Sequence, residues 1–479
     1  MNDPVARKPQ YQMGYLWMIC LVAAMGGLLF GYDWVVIGGA KPFYEPFFGI
    51  SDLPLLQGWA MSSALVGCLV GAFTSGALSD RFGRKRLLIL SGFLFTLSAV
   101  GTAMAWNFTG FNIFRLIGGV GIGLASSLSP MFIAEISPAE MRGRFVSINQ
   151  LTIVIGILAA QIVNWLIAEP VPDDATLESL RASWNGQSGW RWMFGAETVP
   201  AVAFFLLMFF VPESPRWLVK FGQSDRAHKI LARVGGEEYA RIQVQDIQAT
   251  LAQDEIAQVH FRDLLEPKLR KIVALGVFLA VFQQWCGINT IFNYSQEIFA
   301  AAGYGVGAIM LNIVITGIVN LVFTFVAIAT VDRFGRRILM LIGAGGLAII
   351  YAILGTGYFL NSQGVHMLIL VVAAIACFAM SLAPVTWVVI SEIYPNRIRG
   401  AAMSVALTSL WMGCLALTFL FPILNKGLKT SLFEWSGFGV HGTFWLYSVI
   451  CVIGFVVILW KLPETKGKSL EDIERELVD

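Results

Sequence analysis

The chain has 479 residues, of which 57% are hydrophobic and only 13% are charged. Soluble globular domains carry about 25% charged residues, so the surplus of apolar side chains indicates a surface that faces lipid. The net charge of +2 and the lack of a basic stripe argue against a nucleic-acid-binding protein. The sequence has no CxxC pair, no metal-ligand cluster and no catalytic triad, so we expect no disulfide framework, no metal, no cofactor and no enzyme activity.

Twelve segments are apolar enough to cross a membrane as α-helices, each of which needs about 20 residues. The first follows the polar segment 1–12 and is too long for the apolar part of a cleavable signal, so we interpret it as a membrane span. The predicted spans are 15–38, 56–79, 87–106, 111–134, 145–168, 195–212, 271–300, 307–330, 337–360, 366–390, 401–424 and 443–462. We therefore predict an all-α membrane protein.

Basic residues cluster in short loops on one predicted side of the membrane. These loops are DRFGRKR at 80–86, the segment with Arg142 and Arg144, and DRFGRR at 332–337. The loop at 106–110 has no basic residue. Because short loops rich in Lys and Arg stay in the cytoplasm, we expect both termini to be cytoplasmic in a multi-pass protein of the cell inner (plasma) membrane.

The longest polar stretch lies at 213–270, between the sixth and seventh predicted spans. Ser224 is suited to cap a helix that continues through Val234, and 237–255 has helical spacing. We interpret this stretch as a small cytoplasmic helical bundle.

The chain is thus expected to have four parts. They are an N-terminal six-helix bundle (1–212), a cytoplasmic helical linker (213–270), a C-terminal six-helix bundle (271–463) and a cytoplasmic C-terminal tail (464–479). In the tail, Ser469 and Asp472 match the start of one short helix.

Three motifs recur in the same order in the two halves, at a spacing of roughly 250 residues, as parallel repeats do. The pairs are DRFGRK (80–85) with DRFGRR (332–337), AEISPAEMRG (134–143) with SEIYPNRIRG (391–400), and PES (212–214) with PET (463–465). This pattern indicates two six-helix repeats related by an axis along the membrane normal. Such symmetry favours a transporter in which two halves rock around a central site.

Longer motifs extend these repeats over nearly the whole chain. They are GGLLFGYD (26–33), GALSDRFGRKR (76–86), RLIGGVGIGLASSLSPMFIAEISP (115–138), PESPRWL (212–218), FQQWCGIN (282–289) and PETKGKSLED (463–472). Together they resemble the sugar-porter branch of the major facilitator superfamily, and within it the bacterial D-xylose/proton symporters. The resemblance implies the major facilitator fold, with twelve membrane helices and a cytoplasmic helical linker.

Charged residues inside the predicted spans are candidates for proton coupling, because a charge at the bilayer centre costs about 3 kcal/mol or more. Asp33 lies deep in the first span and Arg115 near the start of the fourth. The resemblance puts this pair at the family's proton-coupling position, and it puts Glu197 near Arg115 as an alternative partner. The other possibility is a static ion pair between two helices. The histidines fall in loops or at span ends: His228, His260, His366 and His441.

The resemblance also implies a monosaccharide site that is polar and uncharged, with an aromatic platform. Amides both donate and accept hydrogen bonds, which suits sugar hydroxyls, although a lone Gln in a span more often bonds a neighbouring helix. Gly287 can break the seventh helix so that amides on both sides of the break face one cavity. The family's sugar-binding positions correspond to Gln150, Gln283, Gln284, Asn289, Asn320, Trp387 and Trp411, with Phe30 as an apolar wall.

Five positions depart from the pattern of the xylose symporters. Ile157 and Leu410 replace glutamines, Phe292 replaces a leucine, Asn293 a tyrosine and Ala383 a glycine. Each lost amide removes a hydrogen bond worth about 1 kcal/mol net. Ile157 and Phe292 match the pattern of the glucose facilitators, so D-xylose, glucose and other hexoses all stay open as substrates.

Charged residues at the predicted cytoplasmic helix ends recur in both halves. The resemblance implies that they form networks that hold the outward-facing state, whereas the alternative is that they only mark topology at helix ends. They are Asp80, Arg84, Glu135, Arg142 and Glu213 in the first half, and Asp332, Arg336, Glu392, Arg399 and Glu464 in the second.

No GxxxxGK[ST] motif is present, so an ion gradient is the expected energy source. We therefore predict a monomeric, proton-coupled monosaccharide symporter in the lipid bilayer, with sugar and proton as its partners. The alternatives are a sugar uniporter, a polyol or inositol symporter, and a transporter-like sensor that binds sugar without moving it.

Overall fold

The structure is a computed structural model, and its description covers most of the chain. The described residues are 11–172, 175–256, 264, 266, 269–395, 398–429 and 434–466, without the side chains of 252–256, 332, 399, 429 and 434. The short helix predicted to begin at Ser469 lies outside these residues, as does His260.

The first half contains five long helices and a divided sixth one. The long helices are α1 (Met13–Phe48), α2 (Pro54–Phe82), α3 (Arg84–Ala103), α4 (Phe108–Ile136) and α5 (Arg142–Ile167). A short helix and a π-helical turn follow, and then come the two parts of the sixth membrane helix. These elements are α6 (Leu177–Ala182), the turn Asn185–Gly189, α7 (Trp190–Gly195) and α8 (Thr198–Leu207).

The sixth span, predicted as one helix over 195–212, is wrong in its bounds. The helix begins at Trp190 and is interrupted at Ala196 and Glu197. Pro200 explains the interruption, because proline has no N–H to donate to the carbonyl of Ala196 in a continuous helix. Among the described residues, eleven other helical stretches are long and apolar enough to cross a membrane.

The connecting segment folds into three short helices that pack around a small core of their own. They are α9 (Pro215–Lys220), α10 (Ser224–Gly235) and α11 (Glu237–Ile256). The two predicted helices are therefore confirmed, but the predicted cap is wrong. Ser224 is the first helical residue, and Gln223 occupies the N-cap position without a side-chain hydrogen bond.

The second half repeats the first, with its own interruptions. The seventh predicted span consists of α12 (Leu269–Trp285), α13 (Ile288–Asn293) and α14 (Ser295–Ala301). Gly287 separates α12 from α13 with a φ of 89°, a conformation that glycine adopts readily, so the predicted break is confirmed. The remaining helices are α15 (Val306–Phe334), α16 (Arg336–Phe359), α17 (Val365–Ala379), α18 (Leu382–Ile393), α19 (Arg399–Lys426) and α20 (Gly439–Lys461). Two strands of two residues each, β1 (Leu428–Lys429) and β2 (Glu434–Trp435), pair antiparallel between α19 and α20.

The two halves approach each other at one end of the bundle. We call the end that carries the loops 80–86 and 332–337 the basic end. At the opposite end, a Cβ on Gly38 of α1 would lie 2.8 Å from the carbonyl oxygen of Phe292 on α13. A Cβ on Gly58 of α2 would lie 2.4 Å from the carbonyl oxygen of Phe419 on α19. Small residues thus let the backbones of the two halves touch there, as they do at membrane-helix contacts generally.

Candidate functional site

A buried charged group lies in the middle of the first half. Asp33 on α1, Arg115 on α4 and Glu197 at the interruption between α7 and α8 are each 2% exposed. Nη1 of Arg115 donates a hydrogen bond to Oδ1 of Asp33, and Glu197 interacts electrostatically with both residues. Oδ2 of Asp33 and Oε1 of Glu197 accept no hydrogen bond from the described residues. The structure therefore brings the three predicted residues together, with two carboxylates near one guanidinium.

Three amide side chains form a continuous chain across the break in the seventh helix. Gln284 donates a hydrogen bond to Gln283, and Asn289 donates one to Gln284. Asn289 also lies 3.8 Å from Sγ of Cys414 on α19. Gln283, Gln284 and Asn289, here called the amide group, thus lie together on both sides of Gly287, as the sequence predicts.

Three aromatic rings form a second group, and this group joins the two halves. On α1, Phe30 and Trp34 are in edge contact, with centroids 5.9 Å apart. Trp411 on α19 lies 5.8 Å from the Phe30 ring and 6.2 Å from the Trp34 ring. Phe30 and Trp411 were predicted from the sequence, whereas Trp34 was not. We call these three residues the aromatic group.

Three further predicted sugar-site residues lie on neighbouring helices. Gln150 on α5 is half-buried, Asn320 on α15 is buried, and Trp387 on α18 is 38% exposed. Among the described side-chain hydrogen bonds and ring contacts, none joins these three residues to the amide group or the aromatic group.

One more buried amide lies close to the positions that depart from the xylose symporters. Gln161 lies one helical turn beyond Ile157 on α5 and is 1% exposed. Neither amide atom of Gln161 has a hydrogen-bond partner among the described residues. Its Oε1 lies against Gly317 of α15, where a Cβ would approach within 1.8 Å. Asn293 is also buried, and its Oδ1 likewise lacks a partner in the described part of the chain.

The charged residues that recur at the basic end form a hydrogen-bonded network in the first half. Arg84 donates to both carboxylate oxygens of Glu135 at 3.1 Å and to Asp80 at 3.2 Å. Glu213 accepts from the backbone N–H of Arg84 at 3.0 Å, at the start of α3. The hydroxyl of Ser214 donates to Glu135. The structure thus brings four predicted residues of the first half together.

The second half repeats this network with equivalent residues. Arg336 lies 3.4 Å from Glu392, and Thr465 donates to Glu392 at 2.6 Å. Glu464 accepts from the backbone N–H groups of Arg336 at 2.9 Å and Arg337 at 3.1 Å, at the start of α16. Each carboxylate at a helix start compensates the partial positive charge of that terminus.

The remaining predicted residues of the basic end are less constrained. Arg142 is exposed, and its Nε donates to the backbone carbonyl of Ala134 at 2.9 Å. The side chains of Asp332 and Arg399 lie outside the described part of the chain.

Three charged residues at the opposite end of the bundle were not predicted from the sequence. Lys41 and Glu45 lie in α1, which continues to Phe48, whereas the first span was predicted to end at residue 38. Glu297 lies on α14. Lys41 and Glu45 lowered the local hydropathy and so ended the predicted first span before them. Glu297 lies inside the predicted span 271–300 and was overlooked there as a charge within a membrane helix.

Comparison with known proteins agrees with this architecture. The sequence profile of a family described as "Sugar (and other) transporter" matches residues 19–477. The arabinose-proton symporter of Bacillus subtilis (strain 168) is 38% identical over 475 residues, which cover 99% of this chain and 97% of that protein. The D-xylose-proton symporter of Escherichia coli (strain K12) is 39% identical over 492 residues, which cover 97% of this chain and 96% of that protein.

A solved structure is similar over the same length. The inward-open conformation of the xylose transporter XylE from E. coli matches with a TM-score of 0.82 and 36% sequence identity, covering 96% of this chain and 100% of that chain. These similarities confirm the predicted family resemblance and the predicted all-α fold.

Proposed function

We propose a transport function for this chain, because the chain belongs to the family of sugar (and other) transporters. It is a symporter that couples proton movement to the uptake of a monosaccharide, D-xylose or a hexose such as glucose, by alternating access. The observation that carries the proposal is the buried group of Asp33, Arg115 and Glu197, in which two carboxylates share one guanidinium. The two relatives named as sugar-proton symporters support the same function.

Charge balance gives the proton its role. With both carboxylates ionised, the group carries one excess negative charge. In a buried site, an uncompensated charge costs about 3–5 kcal/mol. One bound proton makes the group neutral. Arg115 pairs with Asp33 here, which favours ionised Asp33. When Arg115 moves toward Glu197, Asp33 loses its partner and takes up the proton.

The sugar binds between the halves, against the amide group and the aromatic group. The amides satisfy sugar hydroxyls, and the rings pack against the C–H face of the sugar. Gln150, Asn320 and Trp387 complete the site from neighbouring helices. Since the aromatic group has members in both halves, a sugar bound there contacts both, and its binding favours closure around it.

Gln161 supplies an amide to this site, one turn from the position where Ile157 lacks one. We expect Gln161→Leu to raise the KM for the transported sugar about fivefold, because a lost hydrogen bond costs about 1 kcal/mol. Uptake kinetics in proteoliposomes measure this change. Gln245→Leu, on the exposed surface of α11, is the matched control and leaves KM unchanged. An unchanged KM in Gln161→Leu would remove this residue from the site.

The basic loops also give the orientation of the chain in the membrane. We assign the basic end to the cytoplasm, so that both termini are cytoplasmic in the cell inner (plasma) membrane. The chain works as a monomer, with bundles at 1–212 and 271–463 that rock around the site, the linker 213–270 between them and the tail 464–479 after them. The contact of the halves at the opposite end then corresponds to an inward-facing state. Closure of the basic ends brings their charge networks together and stabilises the outward-facing state.

Proteoliposomes test the assignment of the proton site. Asp33→Asn cannot exchange a proton at this position, so it abolishes proton-driven accumulation of sugar. It spares counterflow exchange, which needs the sugar site and alternating access but no net proton movement. Labelled xylose, competed by a panel of hexoses and inositol, provides the substrate and identifies the preferred sugar in the same assay.

The matched control is Asp225→Asn, on the exposed surface of α10. It keeps both accumulation and counterflow. Accumulation of sugar against its gradient by Asp33→Asn would contradict the assignment.

A further inference from the structure

Charged side chains from both halves meet at the end of the bundle opposite the basic loops. Lys41 and Glu45 lie one turn apart near the end of α1, with Nζ of Lys41 3.1 Å from Oε1 of Glu45. The same ammonium group donates a hydrogen bond to Oε1 of Glu297 on α14, in the other half. Lys41 is 1% exposed, and it lies 5.3 Å from the ring centroid of Tyr294. The ammonium group is therefore enclosed by residues of the second half.

A second contact between the halves lies beside the first. Lys426, the last residue of α19, donates to Oε1 of Gln57 on α2 at 3.2 Å and to the carbonyl of Ser51 at 3.0 Å. Gln57 is fully buried and donates from Nε2 to Glu45 at 2.8 Å. We call Lys41, Glu45, Gln57, Glu297 and Lys426 the bridging charge cluster.

The bridging charge cluster lies in line with the central site. Trp34, Gly38, Lys41 and Glu45 follow one another at helical spacing along one face of α1. Seven residues of helix separate Trp34 from Lys41, a distance of about 10 Å. Trp34 contacts Trp411 and Gly38 lies against Phe292, so this face of α1 is directed toward the second half. The cluster therefore lies between the central site and the surface at this end.

We propose that the bridging charge cluster is the gate that closes the transport pathway at this end. The proposal rests on alternating access, but on no particular sugar or ion. Lys41 and Glu297 belong to different halves, so they separate when this end opens. In the open state water solvates both charges. In the closed state Lys41 is compensated by Glu45 of its own helix and by Glu297 across the interface, whereas Glu297 faces Lys41 from the other half. Loss of the cross-interface partner therefore penalises the closed state alone.

Distances between spin labels in the two halves test the gate. The labels are attached at Thr109→Cys, at the start of α4, and His366→Cys, at the start of α17, both exposed at this end. Among the native cysteines, Cys377 is half-buried and the other five are buried, and the labelled parent protein gives their background. In reconstituted bilayers, Glu297→Gln raises the ratio of the long to the short distance about tenfold, because the closed state loses the ion pair between Lys41 and Glu297 and keeps only the pair with Glu45 inside the first half.

Two further variants make the result specific. Lys426→Met shifts the ratio in the same direction by a smaller factor, because Lys426 is exposed and solvent weakens its contact with Gln57. Exchange of the charges, Lys41→Glu with Glu297→Lys, restores the short distance. The matched control Glu178→Gln, exposed on α6 at the same end, changes nothing.

An unchanged ratio in both Glu297→Gln and Lys426→Met would overturn the proposal, and so would a charge exchange that leaves the long distance in place. If Glu297→Gln does not fold, Lys426→Met and the charge exchange decide the matter. The distances are measured without sugar and without a proton gradient. Failure of the gate therefore leaves the proposed sugar-proton symport intact, and failure of that symport leaves the gate intact.

Discussion

The two ends of the helix bundle use charged side chains in different ways. At the basic end, Arg84 pairs with Glu135 inside the first half, while Arg336 and Glu392 pair inside the second. At the opposite end, Lys41 pairs with a residue of the other half. Charge at the basic end therefore stabilises each half in this conformation, whereas charge at the opposite end determines how far apart the halves stand.

The two copies at the basic end also differ from each other. The pair of Arg84 and Glu135 is 3.1 Å long, with side chains 8% and 10% exposed. The pair of Arg336 and Glu392 is 3.4 Å long, with side chains 16% and 25% exposed. Since solvent weakens ion pairs, the pair of Arg84 and Glu135 is the stronger of these two pairs.

The largest loss of stability is expected when the ion pair of Arg84 and Glu135 is removed. Arg84→Ala leaves the largely enclosed carboxylate of Glu135 without its main partner and lowers the free energy of unfolding by about 3 kcal/mol. Arg336→Ala lowers it by less, because its pair is longer and more exposed. Thermal unfolding in detergent measures both variants against the parent.

The same two variants test whether the ion pairs at the basic end act within each half and not between the halves. They leave the distance between the labels at Thr109 and His366 short, because neither pair crosses between the halves. A lengthened distance in Arg84→Ala, or equal losses of stability in the two variants, would contradict the contrast.

A smaller loss of stability, similar in the two halves, is expected when either of two glycines at the basic end is replaced by alanine. Gly83 and Gly335 have φ values of 92° and 89°, and a Cβ would lie 2.3 Å from Oε2 of Glu213 and 2.7 Å from Oε2 of Glu464. Alanine at either position lowers the free energy of unfolding by about 1–3 kcal/mol through backbone strain and displacement of the carboxylate. Gly76→Ala, in the helical part of α2 with open space around it, is the matched control and does not destabilise. An unchanged unfolding temperature in Gly83→Ala would show that the positive φ and the contact with Glu213 do not require glycine at this turn.

The smallest expected effect concerns exposed Arg142. Among the described residues, its side chain hydrogen-bonds only the backbone carbonyl of Ala134, so its removal changes the free energy of unfolding by less than about 1 kcal/mol. Arg142→Ala and Arg399→Ala instead weaken the outward-facing state and favour the inward-facing one. Labelling of a cytoplasmic cysteine by a thiol probe becomes faster in both variants. Unchanged accessibility would count against the role of these residues as a latch.

The sequence predicts the parts of the molecule that depend on local pattern. The repeats predicted two parallel six-helix halves, and Gly287 predicted the break that brings Gln284 and Asn289 together. Glu197 was recognised as a buried carboxylate, but the helix interruption at which it lies depends on Pro200, whose effect was overlooked.

Contacts between the halves could not be predicted in this way. Lys41 and Glu297 are 256 positions apart, so their pairing depends on tertiary structure. The first span was also predicted to end before Lys41. A charged residue lowers the mean hydropathy of a segment whether or not an opposite charge pairs with it in the folded protein. Trp34 was overlooked for a related reason. The sequence does not show which residue a tryptophan in a membrane helix contacts, and the structure shows that Trp34 packs against Trp411 of the other half.

In a proton-coupled symporter, sugar and proton cross the membrane together. The direct measurement is the external pH of lightly buffered proteoliposomes when xylose or glucose is added. We expect external alkalinisation with the parent protein and none with Asp33→Asn. Sugar uptake by the parent protein without any alkalinisation would rule out symport and identify a uniporter.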